Sequence, residues 1–308
     1  MHLPEPLAST VHDALTGAAA RGVAVRLAYN LDEDERVPVP PPPLTEPQLL
    51  ESLPFPTAPI PGWPDLMHHK YVIRDDEALW TGSTNWTADS WTREENVIVT
   101  VQSRELASRF KTDFDQLWTT RDVEKSGKVD SAPMNVAGSS VRAWFCPGRG
   151  GKLAHRIAKA IGSATRRIRI ASPVISSGPI LGTLAQVASD GKVDLAGVVD
   201  RTQILEVLAQ WHLNGNAPWK EPLLRTALTR APFSGKNSTP YAPGSVHDYM
   251  HAKVTIADDV SFVGSFNLSH SGELNAENVL EIADPALAEQ LAAFVDVVRG
   301  RYSGIELP

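Results

Sequence analysis

The apolar positions of this chain run through one order of elements twice. In the first round Leu7, Val11, Ala14, Leu15 and Ala18 recur at helical spacing, and Gly22 is placed to end the helix. Val23, Val25 and Leu27 then alternate as a strand running to Asn30. Residues 37–64 are loaded with proline, which fixes φ and lacks an N–H, so a long structured loop is expected there and neither strand nor helix. Residues 70–74 and 78–81 read as two short strands around an Asp75-Asp76-Glu77 turn, and residues 95–101 as a third. Ser103 is placed to cap a helix with a buried stripe of Leu106, Phe110, Phe114 and Leu117.

In the second round, a helix carrying Ile180, Leu184 and Val187 ends at Gly191, and a strand follows over residues 193–200. A long proline-punctuated segment, 201–246, leads to short strands at 254–256 and 260–263 flanking Asp258-Asp259. A strand over 277–282 precedes Asp284-Pro285, which opens a helix with Leu287, Leu291, Phe294 and Val298 on one side. The pattern is that of an α/β protein built by duplication, with a first half over 1–122, a polar linker over 123–140 and a second half over 141–308. The second half also begins with a helix (Leu153, Ile157, Ala160, Ile161) and a strand (Ile168, Ile170) that have no counterpart ahead of Leu7. A truncated or alternatively started chain is therefore expected, whose first sheet keeps an exposed edge open to self-association.

Chemistry gathers where the two rounds agree most closely. His68-x-Lys70, Asp75 and Gly82-Ser83-Thr84-Asn85 recur as His251-x-Lys253, Asp258 and Gly264-Ser265-Phe266-Asn267. Side chains two apart on a strand share a face, so each histidine projects beside its lysine. An imidazole next to an ammonium suits a phosphate: lysine balances the phosphoryl oxygens while histidine attacks or moves a proton. Asn85 and Asn267, with the hydroxyls of Ser83 and Ser265, would add donors to the same oxygens. Two copies facing each other would set a nucleophile and a general acid on opposite sides of one phosphorus. Asp75 and Asp258, at strand-ending turns, are expected to bond nearby backbone. His69, at the x position, should point away from His68.

Composition narrows this only a little. With 42% hydrophobic and 21% charged residues the chain has the make-up of a globular protein. No apolar run approaches a membrane span and the first residues lack a secretory pattern, so a cytoplasmic location without a transmembrane segment is expected. The single cysteine, Cys146, reads as an apolar filler, and His247 with His251 falls short of a metal site, so no metal or cofactor is expected. A net charge of −7 argues weakly against a nucleic-acid-coated surface. Residues 141–189, however, hold eight basic residues and no acidic one (Arg142, Arg149, Lys152, Arg156, Lys159, Arg166, Arg167, Arg169). Trp63, Trp211 and Trp219, ahead of the two histidines, could stack on bases, dip into a lipid interface or anchor their loops.

The two motifs resemble the paired HKD signatures of the phospholipase D superfamily, and the likeness covers both halves. The resemblance implies a pseudo-two-fold body of two α-β-α halves, each with a mixed β-sheet and the active site at their junction. It further implies a metal-independent, cofactor-free reaction through a phosphohistidine. His68 would be the nucleophile and His251 the acid and base, with Lys70, Lys253, Asn85 and Asn267 holding the phosphate. Glu95 and Glu277 would orient the histidines, with Glu94 an alternative to Glu95. The residues after each Gly-Ser-x-Asn look like the nuclease-like and mitochondrial-type branches. The partner is a phosphodiester in phospholipid or nucleic acid, with a slight lean to a nuclease. Transfer between membrane lipids and a non-catalytic phosphate-binding role are the alternatives.

Overall fold

In the computed structural model, which describes residues 5–31, 50, 53–242 and 245–308, the two halves build very different amounts of sheet. The second half runs β6 (Met134–Val136), β7 (Ser139–Phe145), α4 (Gly150–Ser163), β8 (Arg167–Ala171), α5 (Gly178–Asp190), β9 (Asp194–Asp200), α6 (Arg201–Asn214), α7 (Lys220–Arg230) and β10 (Phe233–Lys236). It continues with β11 (Val254–Ala257), β12 (Val260–Gly264), α8 (His270–Leu274), β13 (Asn278–Ala283) and α9 (Pro285–Arg299). Its eight strands form one mixed sheet in the order β10-β9-β8-β11-β12-β13-β7-β6. Only β10, β9 and β8 run parallel to one another. The first half comprises α1 (Glu5–Ala20), β1 (Leu27–Leu31), β2 (Thr57–Pro61), β3 (Tyr71–Arg74), β4 (Ala78–Gly82), α2 (Ala88–Thr92), β5 (Ile98–Gln102) and α3 (Arg104–Thr120). Its strands fall into two separate sheets, a parallel pair β1-β2 and an antiparallel β3-β4-β5.

Three expectations are corrected here. The first half was expected to hold one mixed sheet, but among the described residues no strand joins β1 to β3. The proline-rich stretch was expected to be loop throughout. Residues 57–61 nevertheless pair with β1, burying Ala58 and Ile60 while Pro59 and Pro61 sit on an edge strand, where a missing N–H is tolerated. Residues 37–49 and 51–52 of that stretch lie outside the described residues. The linker, finally, is packed: Val123, Val129 and Met134 are buried and β6 pairs with β7, because apolar residues spaced too irregularly to show a period still find the core.

The ends of the matching helices are set by side chains. Ser103 Oγ accepts from the N–H of Leu106 at 3.2 Å, and Asp284 Oδ1 accepts from Ala286 and Leu287 at 2.9 Å, as N-caps should. Helices α4 to α7 cover one face of the large sheet through Ile157, Ile161, Leu184, Leu208 and Leu224. The other face meets both α9 and the first half. There Leu106 and Phe110 of α3 and Leu79 of β4 join Phe145, Val254, Val263 and Leu280 in one buried cluster. Phe110 stands edge-to-face on Phe145 at 4.8 Å and on Tyr71 at 5.0 Å, so the halves share a core. Phe110→Ala is therefore expected to cost about 3–5 kcal/mol and to lower stability in a single transition. Denaturant unfolding followed by circular dichroism and tryptophan fluorescence checks both the size and the coincidence of the curves.

Candidate active site at the junction of the halves

The segment carrying each histidine, just ahead of β3 or β11, is attached to the opposite half. Met67 bridges Ala276 and Met250 bridges Glu95, both in parallel sense. The N–H of His68 donates to the Ala276 carbonyl at 3.0 Å, and that of His251 to the Glu95 carbonyl at 3.1 Å. Inside this exchange the lysines are buried and return to their own motifs: Lys70 Nζ donates to the His68 carbonyl at 2.7 Å and Lys253 Nζ to that of His251 at 2.6 Å. Gly82 and Gly264 permit the approach behind the motifs. A Cβ on either would lie 2.0 Å from the carbonyl oxygen of Val97 or Asn278.

The two histidines have unlike partners. His68 Nδ1 lies 2.8 Å from Oε1 of Glu277, a carboxylate with no exposed surface. His251 Nδ1 instead lies 3.1 Å from the amide oxygen of Asn96, with Glu94 Oε2 behind it at 3.4 Å. Glu94 accepts from Ser90 Oγ at 2.5 Å and from the Asn96 amide at 3.1 Å, so it fixes the amide that meets the ring. Glu95 is not at the histidine. Its carboxylate pairs with Lys236 at 2.8 Å and accepts from Tyr302. The reason is a one-residue slip between the copies. Gly82 pairs with Ile98 but Gly264 with Val279, so the place of Glu277 is taken by Asn96, although glutamate follows glycine at the same interval in both halves. One extra residue after α2 produces the slip, and equal spacing in the sequence conceals it.

The serines were expected to face the phosphate, and they are turned elsewhere. Ser83 Oγ donates to Asn96 Oδ1 at 2.6 Å and accepts from the N–H of Val97; Ser265 Oγ donates to Glu277 Oε2 at 2.5 Å and accepts from that of Asn278. They brace the groups that hold the rings. Asn85 and Asn267 are half-buried at the motif ends, and the Asn267 side-chain oxygen is buried with no partner among the described residues. His69 points away into the shared core, 2.9 Å from Asp113. Asp258 takes the N–H groups of Thr165, Arg166 and Arg167 at 2.9–3.0 Å, whereas Asp75 is 69% exposed beside Arg74.

Burial dominates the electrostatics. It pushes His68 down to about 4 against the opposing pull of Glu277, with Lys70 and Lys253 adding to the fall. His251 is held well below its ordinary value by burial, then by Lys253, Lys70 and His68. Lys70 is lowered to about 8, also by burial. Lys253 is also held well below its ordinary value by burial and by Lys70, and Glu94 is raised because its carboxylate is buried. Two lysines and two histidines converge on one buried place against the carboxylates of Glu277 and Glu94, and a phosphate is complementary to those four groups.

Residues 4–118 and 157–297, more than half of the chain, match the family described as "Cardiolipin synthase, PLD-like domain". The chain belongs to the phospholipase D superfamily. Among curated relatives of this superfamily, the mitochondrial cardiolipin hydrolase of Homo sapiens is 32% identical over 90 residues, 26% of this chain and 35% of that protein. The protein of the same name from Danio rerio is 40% identical over 57 residues, 18% of this chain and 25% of that protein. The chain thus spans about a third or less of the curated relatives it matches. Phosphatidylserine synthase of Haemophilus influenzae Rd KW20 shares the phospholipase D fold, with a TM-score of 0.59 at 16% identity over 84% of this chain and 69% of that one.

A neutral buried histidine makes stability depend on pH in a defined sense. Between about 4 and 6.5 the folded state binds fewer protons at His68 than the unfolded state does. The stabilisation is therefore complete above 6.5 and is lost as pH falls toward 4. Melting temperature measured from pH 7 to pH 4 should fall less steeply for His68→Asn than for the wild type.

Proposed function

We propose that the chain hydrolyses a phosphodiester in two steps, with His68 as nucleophile and His251 as general acid and then base. The unequal partners of the two rings carry this reading. Glu277 holds Nδ1–H of His68, which leaves the Nε2 lone pair free and stabilises the positive charge that the ring acquires on phosphorylation. Asn96 fixes the His251 ring with a neutral oxygen, which leaves an imidazolium there readier to give up its proton. Nε2 of His68 attacks phosphorus, and the bond to the leaving oxygen breaks as that oxygen takes a proton from His251. Water then attacks the phosphohistidine, gives its proton to His251, and the N–P bond breaks to restore His68. Lys70, Lys253, Asn85 and Asn267 hold the non-bridging oxygens. The anionic substrate supplies the charge that lets His251 begin protonated against Lys253 and Lys70.

A phospholipid headgroup ester is the proposed substrate. The basic run that favoured nucleic acid is largely occupied within the molecule. Arg156 pairs with Glu281, Arg166 with Asp259, Arg167 with Glu289, and Arg169 with both Asp194 and Asp296. Groups already paired release few counterions to a polyanion. The curated relatives are named for a lipid, cardiolipin, and Trp63 and Trp219 are 50% and 54% exposed, as residues meeting a bilayer interface can be.

Turnover of a chromogenic phosphodiester in EDTA tests the chemistry. His68→Asn and His251→Asn should each lose on the order of 10⁴-fold or more in kcat, and labelled phosphate should be trapped on the protein only where His68 remains. Glu277→Gln should lose on the order of a hundredfold in kcat. No turnover by the wild type would favour a phosphate-binding protein without catalysis. Anionic phospholipid vesicles and single-stranded DNA offered side by side test the substrate. Cleavage of the DNA alone would overturn the lipid reading and leave the mechanism standing.

A further inference from the structure

Two successive backbone N–H groups fix each histidine. That of the histidine itself bonds to the opposite half, at the Ala276 carbonyl for His68 and the Glu95 carbonyl for His251. The N–H one residue earlier bonds to a side chain of its own half. Met67 donates to Asn30 Oδ1 at 2.9 Å, and Met250 donates to Asp200 Oδ2 at 3.0 Å. Asn30 lies in β1 and Asp200 ends β9, so both copies build the contact from the strand that precedes their long connection to the motif.

The two contacts differ in charge, and in the opposite sense to the rings. In the first copy Glu277 holds the ring and an amide holds the backbone; in the second Asn96 holds the ring and a carboxylate holds the backbone. An N–H bond to a carboxylate is stronger than one to an amide. The firmer backbone grip therefore falls on the histidine whose ring has the neutral hydrogen-bond partner. Asp200 and Met250 both have no exposed surface. A carboxylate in such a place is costly unless its oxygens are satisfied, and this one takes three donors. Oδ1 accepts from Ser238 Oγ at 2.7 Å and from the N–H of Gln203 at 3.1 Å, which caps α6, while Oδ2 is left for Met250. Capping alone requires one oxygen.

We propose that Asp200 is a positioning residue for His251, as Asn30 is for His68. Asp200 holds the Met250 N–H from its own half while Glu95 holds the next N–H from the other, and the pair of contacts aims the His251 ring at the leaving oxygen. The inference rests on the two-step hydrolysis proposed for the site. Proton transfer requires close, aligned groups, so loosening this segment weakens the acid without touching the attack by His68.

Three variants of the full chain test this. Asp200→Ser keeps a cap for Gln203 but is too short to reach Met250. Asp200→Asn is isosteric and keeps one oxygen for Ser238 and Gln203, but turns an amide N–H toward that of Met250. Asn30→Ala removes the first-copy contact. Hydrogen exchange read by mass spectrometry should quicken about tenfold in the peptide carrying Met250 and His251 for both Asp200 variants, and in that carrying Met67 and His68 for Asn30→Ala. Single-turnover release of two leaving groups then separates the roles. From a diester that releases 4-nitrophenolate, which leaves without a proton, the Asp200 variants should stay within about threefold of the wild type. From anionic phospholipid vesicles or single-stranded DNA, whichever the wild type cleaves, the leaving group is an alkoxide and the rate should fall about thirtyfold with KM unchanged. Asn30→Ala should slow both releases alike. Unchanged exchange at Met250 and His251 in the Asp200 variants would overturn the proposal, and so would equal losses on the two leaving groups. A wild type that cleaves neither kind of diester would overturn the hydrolytic reading and the acid role with it, while the exchange rates would still decide whether Asp200 holds the His251 segment.

Discussion

The reciprocal exchange of backbone hydrogen bonds at the two motifs is the constraint on which the site depends. His68 is held by the Ala276 carbonyl and His251 by that of Glu95, so neither ring is positioned by its own half alone. The side-chain contacts that follow are reciprocal too: Glu277 reaches back to His68 and Asn96 to His251. A displacement of one half against the other would loosen both rings together. The shared cluster around Phe110 and Phe145 supplies the stiffness that the exchange requires, since close-packed side chains resist relative sliding.

Within that near-symmetry the chemistry is uneven. One extra residue after α2 places an amide where the other copy has a carboxylate, and Glu94 then supports the amide from behind. Burial, not pairing, is the largest influence on both histidines and on both lysines. Four cation-forming groups are buried together beside the carboxylates of Glu277 and Glu94, an environment that the charge of an added anion would complement.

Much of this was legible in the chain because duplication states it twice. His68, Lys70, His251 and Lys253 stood out as a doubled pattern, although they lie just ahead of β3 and β11 and not on those strands, and α3 and α9 could be read from their caps and apolar stripes. Asp258 as a backbone anchor followed from its place at a turn. The misreadings have a common origin in register, which local spacing does not encode. Glu95 looked equivalent to Glu277 because both follow glycine at the same interval, and only the pairing of Gly82 with Ile98 shows that Asn96 stands there. Ser83 and Ser265 have the chemistry of phosphate donors, but which acceptor a hydroxyl finds depends on residues distant in the fold. The strand over 57–61 was hidden by its prolines, which an edge can accommodate.

The buried cluster that Leu79, Leu106 and Phe110 form with Phe145, Val254 and Leu280 has a consequence for how the molecule can be divided. The repeat boundary written in the sequence is not a boundary of cohesion. Cutting the chain near residue 122 would leave the inner faces of β4 and α3 bare on one piece and one side of the large sheet bare on the other, and each piece would also lose half of the motif exchange. The duplicated units are thus copies in descent but not modules in mechanics, and the smallest part of this chain that can stand alone includes both.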